Sequence, residues 1–208
     1  MFTQYISYIF DIIFPKKCYI CKKSWYYLCG ECQKHIVYKN NFQENKVLYH
    51  YRPIKKLIHD AKFYWKKDIF RELWNSMWYE LNISLKNKKN YILVPVPLHF
   101  FKKMKRWYNQ SEILAREISL VTWIPYSTNL VLRKKHTRQQ SHFSRQQRQK
   151  NIIDCFCINK KQADKLDKTH IILIDDVIST GSTLGEIKKQ LRCSIPKSTV
   201  STFCIASD

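Results

Sequence analysis

The sequence has 208 residues and a formal net charge of +21, from 37 Lys and Arg against 16 Asp and Glu, and 45% of its residues are hydrophobic. That apolar fraction excludes wholesale disorder, and the lack of an uncharged apolar run of about 18 residues excludes a membrane-spanning helix. So strong a positive charge favours a polyanionic partner, either nucleic acid or a multiply phosphorylated small molecule.

The first segment, residues 1–14, is mostly apolar and in this respect resembles a signal peptide. It has neither a basic start nor a small-residue cleavage site, and Asp11 interrupts it. Ile6, Ile9 and Phe10 follow helical spacing, which predicts a short amphipathic helix packed on the body of the protein. A membrane-surface helix is the alternative, although its usual lysine-rich polar face is missing. We therefore expect a cytoplasmic protein with no membrane span.

Four cysteines with the spacing C-x2-C-x7-C-x2-C follow: Cys18, Cys21, Cys29 and Cys32. Two CxxC turns can supply the thiolates of a tetrahedral zinc site, and neighbouring lysines favour the thiolate form. Two disulfides or a redox CxxC are the alternatives, but disulfides suit secreted proteins. We predict structural Zn²⁺, with His35 on the surface. The other cysteines lie in apolar sequence, which predicts buried thiols: Cys155, Cys157, Cys193 and Cys204.

The cysteine region is too short for an apolar core of its own, and we assign it with the N-terminal helix to residues 1–45. Residues 46–208 are predicted to form the main domain. Helical periodicity begins at Pro53 and resumes after Asp68, and further helices are expected at 109–121, with Asn109 and Glu112 as a capping box, and at 183–191. Strands are expected at 91–97, 130–132, 155–159, 171–174 and 199–205. Strands alternating with helices predict an α/β fold whose mostly parallel sheet is flanked by helices.

Residues 171–183 form the most informative segment, an apolar strand followed by two acids, a hydroxyl-rich turn and a helix. This order places a ligand at the carboxyl end of a parallel strand and at a helix N-terminus. The acids Asp175 and Asp176 suit ribose hydroxyls, or a Mg²⁺ that itself holds phosphates. A buried strand with a capped helix and a solvated acid pair is the alternative. The turn offers hydroxyl and backbone donors to a phosphate through Ser179, Thr180, Gly181, Ser182 and Thr183.

This segment resembles the signature by which type I phosphoribosyltransferases bind 5-phosphoribosyl 1-pyrophosphate (PRPP), with Ser179 where Thr is commoner. Other motifs precede it: the cysteine pattern, VPVPLH at 94–99, R-x-x-N-Q at 106–110, and R-x-x-x-T-x-x-Q…R-x-x-N at 133–151. The motifs in this order resemble the ComF family, named for natural competence, and its GntX branch looks alike. Trp107 stands where the family usually has Gly, and a positive φ there would strain it.

The resemblance implies a type I phosphoribosyltransferase-like fold with a small zinc-knuckle module. It also implies a site for PRPP and Mg²⁺, in which Asp175 and Asp176 are catalytic and the turn 179–183 holds the 5-phosphate. Arg106, Arg133 and Arg148 are candidates for the pyrophosphate, and the acid-free segment 133–151 is expected to be a mobile loop that closes over the site. Glutamine amidotransfer is not expected, because the early cysteines are committed to metal.

A role in DNA uptake for transformation is a further implication of the resemblance. One alternative is a catalytically inactive protein that binds single-stranded DNA through its charge and aromatic side chains. Another is a scaffold whose zinc module docks a competence helicase. The intact acid pair and phosphate turn favour a PRPP-binding protein, and the acceptor cannot be read from the sequence.

Overall fold

A computed structural model describes residues 15–36, 41–42, 45–63, 69, 72, 90–98, 104, 108–134, 152–178 and 180–207. The helices of this part of the chain are α1 (Gly30–Ile36), α2 (Tyr51–Phe63), α3 (Gln110–Thr122), α4 (Lys160–Ala163) and α5 (Ser182–Ser194). The strands are β1 (Asn41–Phe42), β2 (Asn45–His50), β3 (Tyr91–Pro95), β4 (Val131–Arg133), β5 (Phe156–Ile158), β6 (His170–Ile178) and β7 (Thr199–Ser207). The predicted N-terminal helix lies outside the described residues, as does most of the helical stripe after Asp68.

Five strands form one sheet in the order β1-β2-β7-β6-β3, and β4 pairs with β5 in a separate antiparallel ribbon. The β2–β7, β7–β6 and β6–β3 pairs are parallel, and only β1 runs antiparallel to its neighbour. This confirms the predicted α/β fold with a mostly parallel sheet. Helices cover both faces, as parallel sheets require.

The central strand β6 shows why the sheet is buried on both sides. Its Ile171 and Leu173 pack in one apolar cluster with Ile187 of α5, whereas Ile172 and Ile174 pack in a second cluster that includes buried residues of α2 and α3. Ile171, Ile172 and Ile174 are β-branched, and a run of apolar residues of this kind suits a strand with two buried faces. The strand was expected to end at Ile174, but it continues through the acid pair to Ile178 because β7 pairs with it over the whole length.

The carboxyl ends of three adjacent strands lie level with one another. In the register, Ile178 of β6 pairs with Ser207 of β7, and Ser207 pairs with His50 of β2. β3 ends lower, because its Pro95 pairs with Ile174. At the carboxyl edge of the sheet, β2, β7 and β6 therefore extend further than β3. Ligands of parallel α/β sheets bind at this edge.

The helices follow the predicted patterns closely. In α2, Ile54, Leu57 and Ile58 are buried at helical spacing, and the helix begins at Tyr51, slightly before the expected Pro53. Asn109 caps α3 as predicted, although its side chain accepts from the backbone N–H of Ser111 rather than from that of Glu112. None of the helices in the described ranges has the length and apolar character needed to span a membrane.

Strand β2 was missing from the sequence-based prediction. Its Val47, Leu48 and Tyr49 are buried, yet they form too short an apolar run to indicate a strand without the neighbouring β7. Leu28 and Ile36 of the cysteine region belong to the same apolar cluster as Leu48, which agrees with the expectation that this region has no core of its own. The boundary at residues 45/46 stays a prediction.

Candidate functional site

The acid pair lies near the carboxyl end of β6, and one of its members is held in place by α3. Asp175 Oδ1 accepts a hydrogen bond from Ser111 Oγ at 3.1 Å and another from the backbone N–H of Asp176 at 2.9 Å. Ser111 is only 2% exposed and lies in the first turn of α3. The carboxylate therefore has a fixed orientation, unlike the solvated acid pair considered as the alternative. Sequence reasoning missed Ser111, although it directly follows the R-x-x-N-Q motif.

The asparagine of that motif is a structural clamp. Asn109 Nδ2 donates to the carbonyl of Val96 at 3.1 Å, and the N–H of Val96 donates to the carbonyl of Ile174 at 2.9 Å. The start of α3, the end of β3 and the middle of β6 are thus joined at the residue that directly precedes the acid pair. Asn109 and Gln110 are both buried. Arg106, the first residue of the motif, lies outside the described residues.

The hydroxyl-rich turn leads directly into α5, as the sequence predicts. Gly181 has φ 69° and precedes the helix, whose first residue is Ser182. The hydroxyls of Thr180 and Ser182 share a hydrogen bond at 2.9 Å. The N–H of Ser182 donates to Thr180 Oγ1 at 3.4 Å. The N–H groups of a helix's first turn have no intrahelical acceptor, so those that follow, beginning with Thr183, are suited to an anion. Ser179 lies outside the described residues.

The acid pair gives the strand end a local negative field in a chain of net charge +21. The effect is visible at Cys204 of β7, which pairs with Asp175 in the register. Burial raises the pKa of the Cys204 thiol well above 9.0, and the charges of Asp175 and Asp176 raise it further. A hydroxyl-rich turn at a helix N-terminus, next to two carboxylates, suits a ligand that has both a phosphate and either hydroxyl groups or a bound cation.

Arg133 is the last residue of β4, so the predicted mobile loop cannot begin there. Its guanidinium lies 5.3 Å from the centre of the Phe156 ring, a distance typical of a cation–π contact. Burial lowers the pKa of Arg133 from its usual value. The ribbon that carries it adjoins α5, because the N–H of Asp154 donates to Glu186 at 3.3 Å. Arg148 and most of the predicted loop lie outside the described residues.

The four N-terminal cysteines come together in one cluster. All four Sγ atoms lie within 4.8 Å of one another, and those of Cys21 and Cys29 are 3.5 Å apart. Bonds of about 2.3 Å to a tetrahedral metal place sulfur atoms roughly 3.8 Å apart, so the cluster fits such a metal. No disulfide joins any of the eight cysteines, and the convergence of four Sγ atoms favours a metal site over the two disulfides considered as the alternative. His35 is exposed, as expected, and is not part of the cluster.

The backbone conformation of the two cysteine turns brings the four thiols close together. The N–H of Lys22 donates to the carbonyl of Cys18 at 2.9 Å in the first turn, where Lys22 has φ 67°, and Cys29 directly precedes α1 in the second. Burial acts to raise the pKa of Cys18, but hydrogen bonds from the backbone of Cys29, Cys21 and Ile20 outweigh it and lower the pKa to about 6. Burial, and hydrogen bonds with the other three cysteines, raise the pKa of Cys32 to about 12. The thiolate form is thus favoured at Cys18 and disfavoured at Cys32.

Hydrogen bonds fasten this cysteine module to the main domain. Tyr19 Oη donates to Asp60 of α2 at 2.6 Å, and Gln33 Nε2 donates to Tyr49 Oη of β2 at 2.8 Å. Glu72 Oε1 accepts from two consecutive backbone N–H groups of the module, at 2.6 and 3.0 Å. The cysteine module, β2 and α2 are therefore connected by direct contacts.

The other four cysteines differ from the prediction in part. Cys155 and Cys204 are buried as expected, but Cys157 is only partly buried and Cys193 is exposed. Cys193 lies near the end of α5, on a side of the helix that does not pack on the sheet. Cys157 lies in the β4–β5 ribbon, which has only two strands. Apolar neighbours in the sequence were therefore not enough to predict burial.

Comparison with known proteins finds relatives but no matching family model. Competence protein F of Haemophilus influenzae is 32% identical over 168 residues, which cover 79% of this chain and 72% of that protein. DNA utilization protein YhgH of Salmonella typhimurium is 26% identical over 156 residues, 74% of this chain and 66% of that protein. Similar solved structures include adenine phosphoribosyltransferases from Saccharomyces cerevisiae (TM-score 0.42, 13% identity, 77% and 76% of the two chains) and Leishmania tarentolae (TM-score 0.46, 10% identity, 82% and 94%).

Proposed function

The chain belongs to the ComF family, and from this premise we propose that it binds Mg²⁺–PRPP at the carboxyl end of β6 and acts in DNA uptake for natural transformation. The observation that carries the PRPP proposal is the oriented carboxylate of Asp175, held by Ser111 directly before a turn that leads into a helix N-terminus. The DNA role is supported by the names of the relatives, one a competence protein and the others DNA utilization proteins.

In this proposal each part of the site has a separate task. The turn 179–183 binds the 5-phosphate, and Asp175 and Asp176 bind the ribose hydroxyls and the Mg²⁺ that accompanies the ligand. Because Ser111 and the N–H of Asp176 already hold Oδ1 of Asp175, the carboxylate needs no reorientation when ligand binds. Mg²⁺ would neutralise charge on the pyrophosphate leaving group. Arg106, Arg133 and Arg148 are proposed to assist there.

We propose that the chain is a phosphoribosyltransferase-like protein and not a glutamine amidotransferase. All four N-terminal cysteines lie in the metal-binding cluster, so none is placed to act as a glutaminase nucleophile. Zn²⁺ is proposed as their ligand, because a four-sulfur donor set suits it and its binding would cross-link the two cysteine turns. The proposed role of Zn²⁺ is structural, because the cysteine module that it would cross-link contacts β2 through Tyr49 and α2 through Asp60.

A second candidate function, single-stranded DNA binding or docking of a competence helicase without catalysis, has its own supporting observation. Trp25 and Tyr26 are 59% and 51% exposed on the cysteine module. Lys17, Lys22 and Lys23 are exposed on the same module. Exposed aromatic rings beside cations are the combination by which proteins stack and hold single-stranded DNA.

Two titrations on the zinc-loaded chain separate the two functions. Mg²⁺–PRPP binding, measured by calorimetry, should be abolished in the double variant Asp175→Asn/Asp176→Asn, because neutral amides hold neither the metal nor the diol as well. Asp167→Asn is the matched control, since this exposed acid only pairs with Lys197 at 3.7 Å. If the double variant binds PRPP as the control does, the PRPP site is elsewhere.

The second titration uses a fluorescent single-stranded oligonucleotide at two salt concentrations. Trp25→Ala should weaken binding about tenfold, the usual effect of losing one stacked base. Trp123→Ala is the control, because it removes an exposed tryptophan outside the cysteine module. Trp123 is 89% exposed and lies at the C-terminal cap of α3. Equal affinities of the two variants would exclude the cysteine module as the stacking surface.

A further inference from the structure

A cavity of about 470 Å³ lies at the carboxyl ends of β2 and β7. It is lined by His50, Tyr51, Arg52, Pro53 and Ser207. None of these residues belongs to the acid pair or the phosphate turn, so the cavity is separate from the residues assigned to PRPP. Its volume is within the range of about 300–1,000 Å³ that is typical of small-molecule sites.

The register of the sheet places this cavity beside the PRPP site. His50 pairs with Ser207, and Ser207 pairs with Ile178, which precedes the phosphate turn. Adjacent strands are about 4.8 Å apart, so the backbone of His50 lies roughly 10 Å from that of Ile178. Ligands of parallel sheets bind outside the carboxyl ends of the strands, and both sites open on this edge.

The lining has a definite chemical character. Arg52 offers a planar guanidinium, which forms paired hydrogen bonds with a carboxylate, and His50 adds an imidazole. Tyr51 and Pro53 offer flat apolar faces. None of the described lining residues is acidic, and the side chains of His50 and Arg52 are exposed. This combination selects a planar ring with a negatively charged substituent over a neutral or cationic molecule.

We propose that this cavity binds the acceptor of the phosphoribosyl group, and that the acceptor is a small planar ring that carries a carboxylate. The acceptor role rests on the proposed PRPP function, whereas binding of the ring does not. In the transfer, a ring nitrogen donates its lone pair to C1 of PRPP as the bond from C1 to the pyrophosphate oxygen breaks. The bonding pair leaves with the pyrophosphate. A ring nitrogen that carried a proton then releases it to water, whereas a pyridine-type nitrogen carries none and becomes positively charged.

The cysteine module contacts the two elements that carry most of the residues lining the cavity. Tyr49, which directly precedes His50, is 2% exposed and accepts a hydrogen bond from Gln33 of the module. Asp60 of α2, the helix that contributes Tyr51 and Arg52, accepts another from Tyr19. The cysteine module therefore contacts the two elements that form most of the lining, β2 and α2.

Binding of matched ring pairs to the zinc-loaded full chain tests the proposal without PRPP. Nicotinate and nicotinamide, and benzoate and benzamide, differ only in a carboxylate against a neutral amide. Calorimetry or saturation-transfer NMR should show each acid binding at least about tenfold tighter than its amide, the usual effect of a charge-assisted hydrogen bond. Arg52→Gln should remove this difference. Lys55→Gln, which changes an exposed cation on the same helix, should keep it.

Three outcomes would overturn the proposal: acids that bind no tighter than their amides, Arg52→Gln and Lys55→Gln variants that behave alike, or no measurable binding of either acid. A separate PRPP titration distinguishes this failure from failure of the proposed function. If PRPP binds but the acids do not, only the cavity assignment is wrong. If the acids bind selectively but PRPP does not, the site remains and its acceptor role is lost. Arg52→Gln should leave the affinity for Mg²⁺–PRPP unchanged.

Discussion

Replacing Ser111 by alanine removes the hydrogen bond from its hydroxyl to Asp175 Oδ1, 3.1 Å away. A hydrogen bond to a charged acceptor contributes about 1.5–3 kcal/mol. The N–H of Asp176 still donates to the same oxygen and Asp175 is only half-buried, so the lower figure applies. A loss of about 1.5 kcal/mol corresponds to roughly tenfold weaker binding of Mg²⁺–PRPP.

The assay is calorimetric titration of Mg²⁺–PRPP, with thermal unfolding measured in parallel. Ser119→Ala is the matched control, because it makes the same chemical change further along α3. Ser111→Ala should unfold about 3–6 °C below Ser119→Ala, since it alone loses the hydrogen bond to Asp175. If Ser111→Ala binds PRPP as tightly as Ser119→Ala, the orientation of Asp175 has no part in binding. If Ser111→Ala unfolds at a much lower temperature, its effect on binding reflects damage to the fold.

Metal analysis should find one equivalent of zinc, lost in Cys18→Ser and kept in Cys193→Ser, whose exposed thiol is outside the cluster; less than half an equivalent in the parent chain would contradict this. The pKa of Cys18 is lowered from 9.0 to about 6, so the thiolate's contribution to stability is present at high pH and lost as pH falls through about 6, where zinc release should become easier. Gly181→Ala should destabilise the chain by about 1–2 kcal/mol, because φ is 69° and no neighbouring atom lies within 4 Å of the added Cβ, leaving backbone strain as the cause. Gly185→Ala, within α5, should instead stabilise it by about 0.5–1 kcal/mol; melting temperatures that rise in both variants would mean that Gly181 does not need a positive φ.

The sequence alone was informative where the structure depends on residues close together in the chain. Cys18 to Cys32 form two short turns, and the strand, acids, turn and helix from Ile171 onward are consecutive. Spacing and residue type therefore predicted the cysteine cluster and the start of α5 at the hydroxyl-rich turn. The N-cap at Asn109 was found for the same reason, since its partner Ser111 is two residues away.

Only the tertiary structure decided which distant segments meet. Ser111 and Asp175 are separated by 64 residues, and nothing in either local pattern indicates the other. β2 exists as a strand because β7 lies beside it, and the same pairing brings His50 level with Ser207 and Ile178. The physical reason is that a hydrogen-bonded register positions side chains by the alignment of whole strands. The cavity beside the phosphate turn is a product of that alignment, which no local sequence pattern specifies.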